Sequence, residues 1–481
     1  MGGDQQHAGR ERLSAGRRVV VIGGGLAGIT AALDCAAAGA QVTLLEVRRR
    51  LGGAVYSFER EGMRLDNGQH VFLRCCVAYR GLLARLGSER HVSIQPRLEI
   101  PVLNPGSDTV TLRRGSLPPP LHLAGALARY SHLTRRERLR AALAARALMR
   151  LDPSDEKLDR LTFGGWLEQH GQDRHALAVL WDLIALPTLN LPAEQASLAL
   201  GAFVFRTGLL SGADAGDIGF HQGTLGETVS EPAERTLADA GVDVRLGVRA
   251  ERLIRLSSGF EIEAGEDGCS AESVIVALPH ARAGALVEPL LPQTAQAIGR
   301  IGSSPIVNLH ILYDRLVCEQ SFAAGVNTPV QYLFDRTVAA GAPAGCQYLA
   351  VSLSGAEREM QMSVDALRER YLPALQALLP RARGAKVESF MATREHAATF
   401  RAAPGVAALR PPARTFVEGL VLAGSWTDTG WPATLEGAVR SGHAAANEAL
   451  VALDLNAAVS GASGAGWTKD TGGGGVARHS R

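Results

Sequence analysis

Apolar residues are spaced in two different ways along this chain. From Val19 to Ile22 they run without a break, as in a strand buried on both faces. After three glycines, Leu26, Ile29 and Leu33 recur at helical spacing until Gly39 supplies a stop. A second strand is expected over 41–45. Residues 120–235 are mostly helical in pattern, beyond a proline break at Pro118-Pro119-Pro120. Short strands are expected at 242–245, 260–263 and 274–278, then at 306–312 and 348–353, with a helical stretch near 363–379. At 420–424 an apolar strand runs into a helix, matching the first unit in character. The pattern therefore predicts one cofactor domain interrupted twice by a second domain.

The glycines between the first strand and helix read Gly23-Gly24-Gly25-Leu26-Ala27-Gly28, a G-x-G-x-x-G run. Gly23 permits the tight turn, Gly25 lets backbone approach a pyrophosphate, and Gly28 lets the helix pack on the strand. The first helical turn, from Leu26 and Ala27, aims its N–H groups at phosphate charge. Glu46 ends the second strand 18 positions beyond Gly28, near the separation of about 20 expected for a carboxylate that binds the adenosine ribose. Glycine runs occur by chance; strand, glycines, helix, strand and acid within 30 residues make this a dinucleotide site. The loop that follows, Val47 to Gly53, is basic and glycine-paired. Arg48 or Arg50 can pair with phosphate or stack by adenine, and Gly52-Gly53 permits close approach. A second fingerprint for a nicotinamide is not found, so an external electron donor is expected.

Composition narrows the partners. Of 50 basic residues among 481, lysine supplies only Lys157, Lys386 and Lys469, which reads as codon bias; with a net charge of +2, nucleic acid is not expected as a partner. Six cysteines form no C-x-x-C pair and no Cys/His cluster of zinc spacing, so no metal is expected and a reducing, cytoplasmic setting is the simplest reading. Neither a secretory leader nor a membrane-spanning run is recognised. The polar stretch 1–16 and the Gly/Ser/Ala-rich stretch 456–481 are expected to be disordered tails.

The run from Val19 to Gly53, followed by Asp66-Asn67-Gly68-Gln69-His70, resembles the flavin amine oxidase and phytoene desaturase superfamily. So does Leu422-Ala423-Gly424-Ser425-Trp426-Thr427-Asp428 with Trp431-Pro432-Ala433-Thr434-Leu435-Glu436-Gly437. Asp66 to His70, Leu186 to Asn190 and Pro432 to Val439 are similar to the hydroxysqualene dehydroxylases of bacterial hopanoid synthesis. The resemblance implies an α/β fold: a discontinuous Rossmann-like FAD-binding domain (17–92, 216–299, 406–455) and an inserted α+β substrate domain (93–215, 300–405). It also implies FAD as cofactor. A helix starting near Pro432 would turn its N-terminus toward the flavin, with Gly424, Ser425, Pro432, Thr434 and Leu435 as contacts and Ala250 offering backbone to adenine. Three positions depart from the family: Ala54 for Arg, Ser425 for Asp and Ala250 for Val, which puts FAD affinity in question.

The chemistry implied is reductive loss of an allylic hydroxyl from a C30 isoprenoid, a small lipid substrate. Hydroxide leaves poorly, so a proton donor is needed, and His70 and Asp428 are the candidates. Each has a plainer reading, His70 as a cofactor or backbone hydrogen bonder and Asp428 as a cap. Oxidative desaturation or isomerisation, amine oxidation, and a non-catalytic flavin or lipid carrier are the alternatives. Finally, Thr134-Arg135-Arg136-Glu137 is a capping box opening a helix in which Leu139, Leu143, Ala147 and Leu151 recur among arginines. Such a helix can lie on an anionic bilayer, giving a peripheral contact at the inner face of the cell membrane, or can pack on the core.

Overall fold

The computed structural model describes residues 17–455; the two expected tails lie outside them. Five parallel strands form the cofactor sheet, in the order Asp243–Leu246, Gln41–Glu46, Arg18–Ile22, Ser273–Val276, Leu420–Leu422. Three separate stretches of chain thus contribute to one sheet. The strand Arg18–Ile22 is apolar from Val19 onward because both faces are covered: Val20 and Ile22 enter one core, Val19 and Val21 the other. Strands Arg252–Arg255, Phe260–Glu263 and Cys269–Ala271 form a small antiparallel sheet between the strands at 243 and 273.

The other large sheet has seven strands, ordered Val387–Phe400, Ser303–Tyr313, Gln347–Ser354, Tyr332–Asp335, Phe322–Gly325, Glu99–Leu103, Val110–Arg113. Strand alternation divides Ser303–Tyr313 between two tasks. Val307, Leu309 and Ile311 pack in one core with Leu367, Tyr371 and Leu375 of helix Val364–Leu378, while Asn308 and His310 project to the opposite side. The fourteen-residue edge strand Val387–Phe400 is not anticipated by the sequence pattern, since VESFMATREHAATF has neither a clean alternation nor a continuous apolar run. Ten of its fourteen residues are half-buried.

Two expectations need correction. The C-terminal helix spans Leu435–Ala452, so Pro432 lies before it, and Thr434 caps it by accepting from the Gly437 N–H at 3.1 Å. In the arginine-rich helix Arg135–Leu148 the capping box is present, but the packing face is Ala141, Ala144 and Leu148. Leu139 and Leu143 point outward, 64% and 57% exposed.

Candidate active site

The glycines of the first turn are present for separable reasons. A Cβ on Gly23 would strike the carbonyl of Ala277, and one on Gly28 would strike the carbonyl of Gly23. Gly23 also needs its φ of +113°. Gly25 is different: its φ is −78°, and the nearest atom to an added Cβ is the Gly53 Cα at 3.8 Å. Neither conformation nor neighbouring protein demands glycine there, so the space in front of it is a cradle that a side chain would fill. Gly52 closes the other side, donating to the Gly24 carbonyl at 2.8 Å and bridging to Gly25. The helix behind starts at Leu26 with no side-chain cap, leaving its first-turn N–H groups for an anion.

Glu46 is buried and accepts from the Gly24 and Arg48 amides, each at 2.7 Å. Those bonds fix its direction, and each carboxylate oxygen keeps acceptor capacity for a ribose. Arg48 is exposed, whereas Arg50 is half-buried: its guanidinium lies 3.6 Å from the Tyr56 ring centroid and donates to the Gly53 carbonyl at 3.2 Å. Ala250 sits in the loop after Val248, whose amide binds the Glu46 carbonyl at 3.0 Å. These features fit the diphosphate and adenosine half of FAD.

The segment Asp66–His70 is held by residues from distant stretches of the chain. Asp66 accepts from Ser57 Oγ at 2.7 Å, the Leu225 amide at 2.8 Å and Arg336 at 3.0 Å; burial still pushes its carboxyl above the usual range, against those bonds. Asn67 donates to the Ala54 carbonyl at 2.9 Å and to Glu395 at 3.0 Å. Its own carbonyl accepts from Asn308 and from Thr393 Oγ1, both at 2.9 Å. Thr393 in turn meets His310 Nε2 at 3.0 Å, and His310 Nδ1 meets the Tyr348 hydroxyl at 2.7 Å. The polar side of the large sheet is thereby tied to the loop after the fingerprint.

His70 lies deep in the protein yet keeps part of its surface accessible, and desolvation lowers its pKa to about 4. Phe72 pairs with Gly219 and Leu73 with Ile218, so continuing that antiparallel register sets His70 opposite His221. His221 is 4% exposed, with Nε2 at 3.3 Å from the Tyr79 hydroxyl and no partner on Nδ1 among the described residues. Burial chiefly, then the neighbouring His70 and Arg336 charges, lowers it to about 3. Asp428 is exposed in a turn, where its Oδ1 accepts from the Gly430 amide at 3.3 Å. That is an Asx turn and not a helix cap, since the helix that follows is capped by Thr434, and the structure does not bring Asp428 together with His70.

At the C-terminal end, Gly424 takes φ +138° and donates to Ser441 Oγ at 2.9 Å, while the Trp426 indole, beneath it, donates to the Leu278 carbonyl at 2.9 Å. Ser425 is half-buried, and its carbonyl accepts from Arg410 at 3.3 Å. Gly442 packs so closely on the first helix that a Cβ would strike the Ala27 carbonyl. Glu436, fully buried, accepts from the Ala78 amide at 3.1 Å and the Tyr79 amide at 2.8 Å, capping helix Val77–Arg85, and pairs with Arg440 at 2.7 Å. Sequence reasoning overlooked Glu436, Arg410, Asn308 and Thr393 as parts of this site. Of these, only Glu436 lies within the Trp431–Gly437 motif.

The family of flavin containing amine oxidoreductases matches residues 26–450. The chain belongs to that family. It is an FAD-dependent oxidoreductase. It is 30% identical to a hydroxysqualene dehydroxylase of Rhodopseudomonas palustris, over 91% of this chain and 99% of that protein. To the hydroxysqualene dehydroxylase of Sinorhizobium fredii it is 28% identical, over 90% and 98%. A zeta-carotene desaturase of Solanum lycopersicum is 25% identical over 89% of this chain and 80% of the relative. The fold matches putrescine oxidase with a TM-score of 0.68 at 19% identity, covering 90% of this chain and 99% of the other.

Proposed function

We propose that this enzyme reduces hydroxysqualene to squalene. The likeness to hydroxysqualene dehydroxylases along nearly the whole of both chains carries the reading, at 30% identity over 91% of this one. The first helical turn, Gly25 and Gly52-Gly53 would hold the pyrophosphate, Glu46 the ribose, and the loop after Gly424 the flavin end. Bound in its reduced form, FAD would supply the hydride that replaces the hydroxyl on carbon. The residues of the chain then have two tasks. They must hold the C30 substrate away from water, and one imidazole, His70, must give the departing oxygen its proton so that it leaves as water. The C–O bond breaks, a C–H bond forms, and an external reductant must return two electrons to the flavin.

In this reading the substrate is drawn from a bilayer, and the enzyme works on the cytoplasmic face of the membrane. The outward Leu139 and Leu143, set among Arg135, Arg136 and Arg146, support that contact. Zeta-carotene desaturases also share the fold, and an oxidative reaction on a polyene is the second reading. Incubating chemically reduced protein with hydroxysqualene under anaerobic conditions, with product identification by gas chromatography, separates the two. Squalene is expected; recovery of unchanged alcohol rejects the proposal.

A further inference from the structure

Arg410 carries a charge that no carboxylate touches among the described residues. It is 7% exposed, and its guanidinium donates to four main-chain carbonyls: Ser425 at 3.3 Å, Trp426 at 3.4 Å, Thr427 at 2.6 Å and Trp431 at 2.8 Å. Its carbon lies 4.7 Å from the centroid of the Phe400 ring. The two acids that act on it at a distance are engaged elsewhere. Asp159 accepts from Ser197 Oγ at 2.6 Å and the Ala407 amide at 2.9 Å, and Asp428 from the Gly430 amide at 3.3 Å. Desolvation lowers the guanidinium to about 10, which leaves it charged at neutral pH.

A buried cation without an ion-pair partner costs several kcal/mol, so its place calls for a reason. All four carbonyls belong to residues 425–431, the loop between Gly424, at the end of the last sheet strand, and the Thr434 cap of the C-terminal helix. The loop has little regular structure of its own; the Thr427 amide binds the Gly424 carbonyl at 2.9 Å and the Asp428 amide binds the Pro411 carbonyl at 2.8 Å. Nη2 meets three of the carbonyls and Nε the fourth, so one edge of the guanidinium gathers all four residues.

We infer that Arg410 is the positioning residue of the flavin-end loop, holding residues 425–431 in the one shape that FAD can meet and placing a buried positive charge beside a cofactor that becomes anionic on reduction. The inference rests on the FAD shown by the family and is independent of the substrate reading. Lysine keeps the charge but cannot span the four carbonyls; methionine keeps neither.

Titrating apoprotein with FAD, measuring the reduction potential of the loaded protein against a redox dye, and recording thermal melts test it. For Arg410→Lys, FAD affinity should fall about tenfold or more, the loss of roughly one or two good hydrogen bonds, with the potential close to wild type. For Arg410→Met, affinity should fall further and the potential should become more negative. Wild-type FAD affinity in Arg410→Lys overturns the positioning role, and this variant decides the matter if Arg410→Met does not fold. A lower melting temperature with affinity and potential unchanged assigns Arg410 to the fold alone and overturns the inference equally.

Discussion

At neutral pH His70 is an uncharged imidazole, because burial without a compensating partner lowers it to about 4. If its imidazolium is the acid, the single-turnover rate should rise about tenfold per unit as pH falls from 8 toward 5. His70→Ala should remove that slope and about 10²–10⁴-fold of the rate. A flat wild-type profile excludes His70 as the donor. Gly25 permits a sharper test, because the protein itself leaves room for a side chain there. Gly25→Val should fold and melt like wild type but purify colourless, whereas Glu46→Gln should only weaken FAD binding; yellow, fully loaded Gly25→Val protein contradicts the cradle. Asp182 tests stability alone. Burial raises its carboxyl to about 6, partly offset by the bond from the Ala193 amide at 2.7 Å and reinforced by Glu194. The folded state thus binds the proton more tightly than the unfolded one, and stability falls as pH rises from about 4 through 6. Asp182→Asn, which keeps the acceptor, should raise the melting temperature at pH 8 by the equivalent of about 2–3 kcal/mol and hardly change it at pH 4. Equal gains at both values would show that the carboxyl is ionised without penalty.

Elements differ in how far local sequence specifies them. The first strand, its glycine turn and the helix to Ala37 are legible because each signal lies within a few residues: an apolar run, a fingerprint, a helical period. The helix Arg135–Leu148 is legible in its capping box but not in its orientation, since two stripes of similar apolarity compete and tertiary packing chose the alanines. Glu436, which stabilises a helix more than 350 residues away in sequence, and the strand Val387–Phe400 have no local signature at all. Their roles exist only once distant segments meet. The outward Leu139 and Leu143 carry a prediction of their own. Wild type should sediment with anionic liposomes at low salt and release as ionic strength rises, because exposed charges are screened over about 8–10 Å at physiological salt. Exchanging Arg136, Arg140 and Arg146 for Glu should abolish sedimentation and leave bound flavin unchanged. No binding by wild type at low salt would make this an ordinary solvated face.

Across the whole molecule, one site is assembled from parts that the chain supplies far apart. The first sheet strands and helix would hold one half of FAD, and the C-terminal helix, locked on that first helix through Gly442 and Ala27, would bring the loop for the other half. The large sheet reaches the same region through Asn308 and Thr393, which grip the Asn67 carbonyl. A shift of that sheet would therefore be felt by the segment that ends in His70. Cofactor and fold follow from this assembly; the direction of the reaction is the central claim that goes beyond it. Stopped-flow spectroscopy under anaerobic conditions addresses it most directly, because the flavin reports its own redox state. Protein reduced beforehand should recover the oxidised flavin spectrum in a single turnover on mixing with hydroxysqualene, and oxidised protein should stay oxidised with a polyene or an amine. Persistence of the reduced spectrum with hydroxysqualene, together with bleaching of the oxidised flavin by a polyene or an amine, would contradict the reductive account.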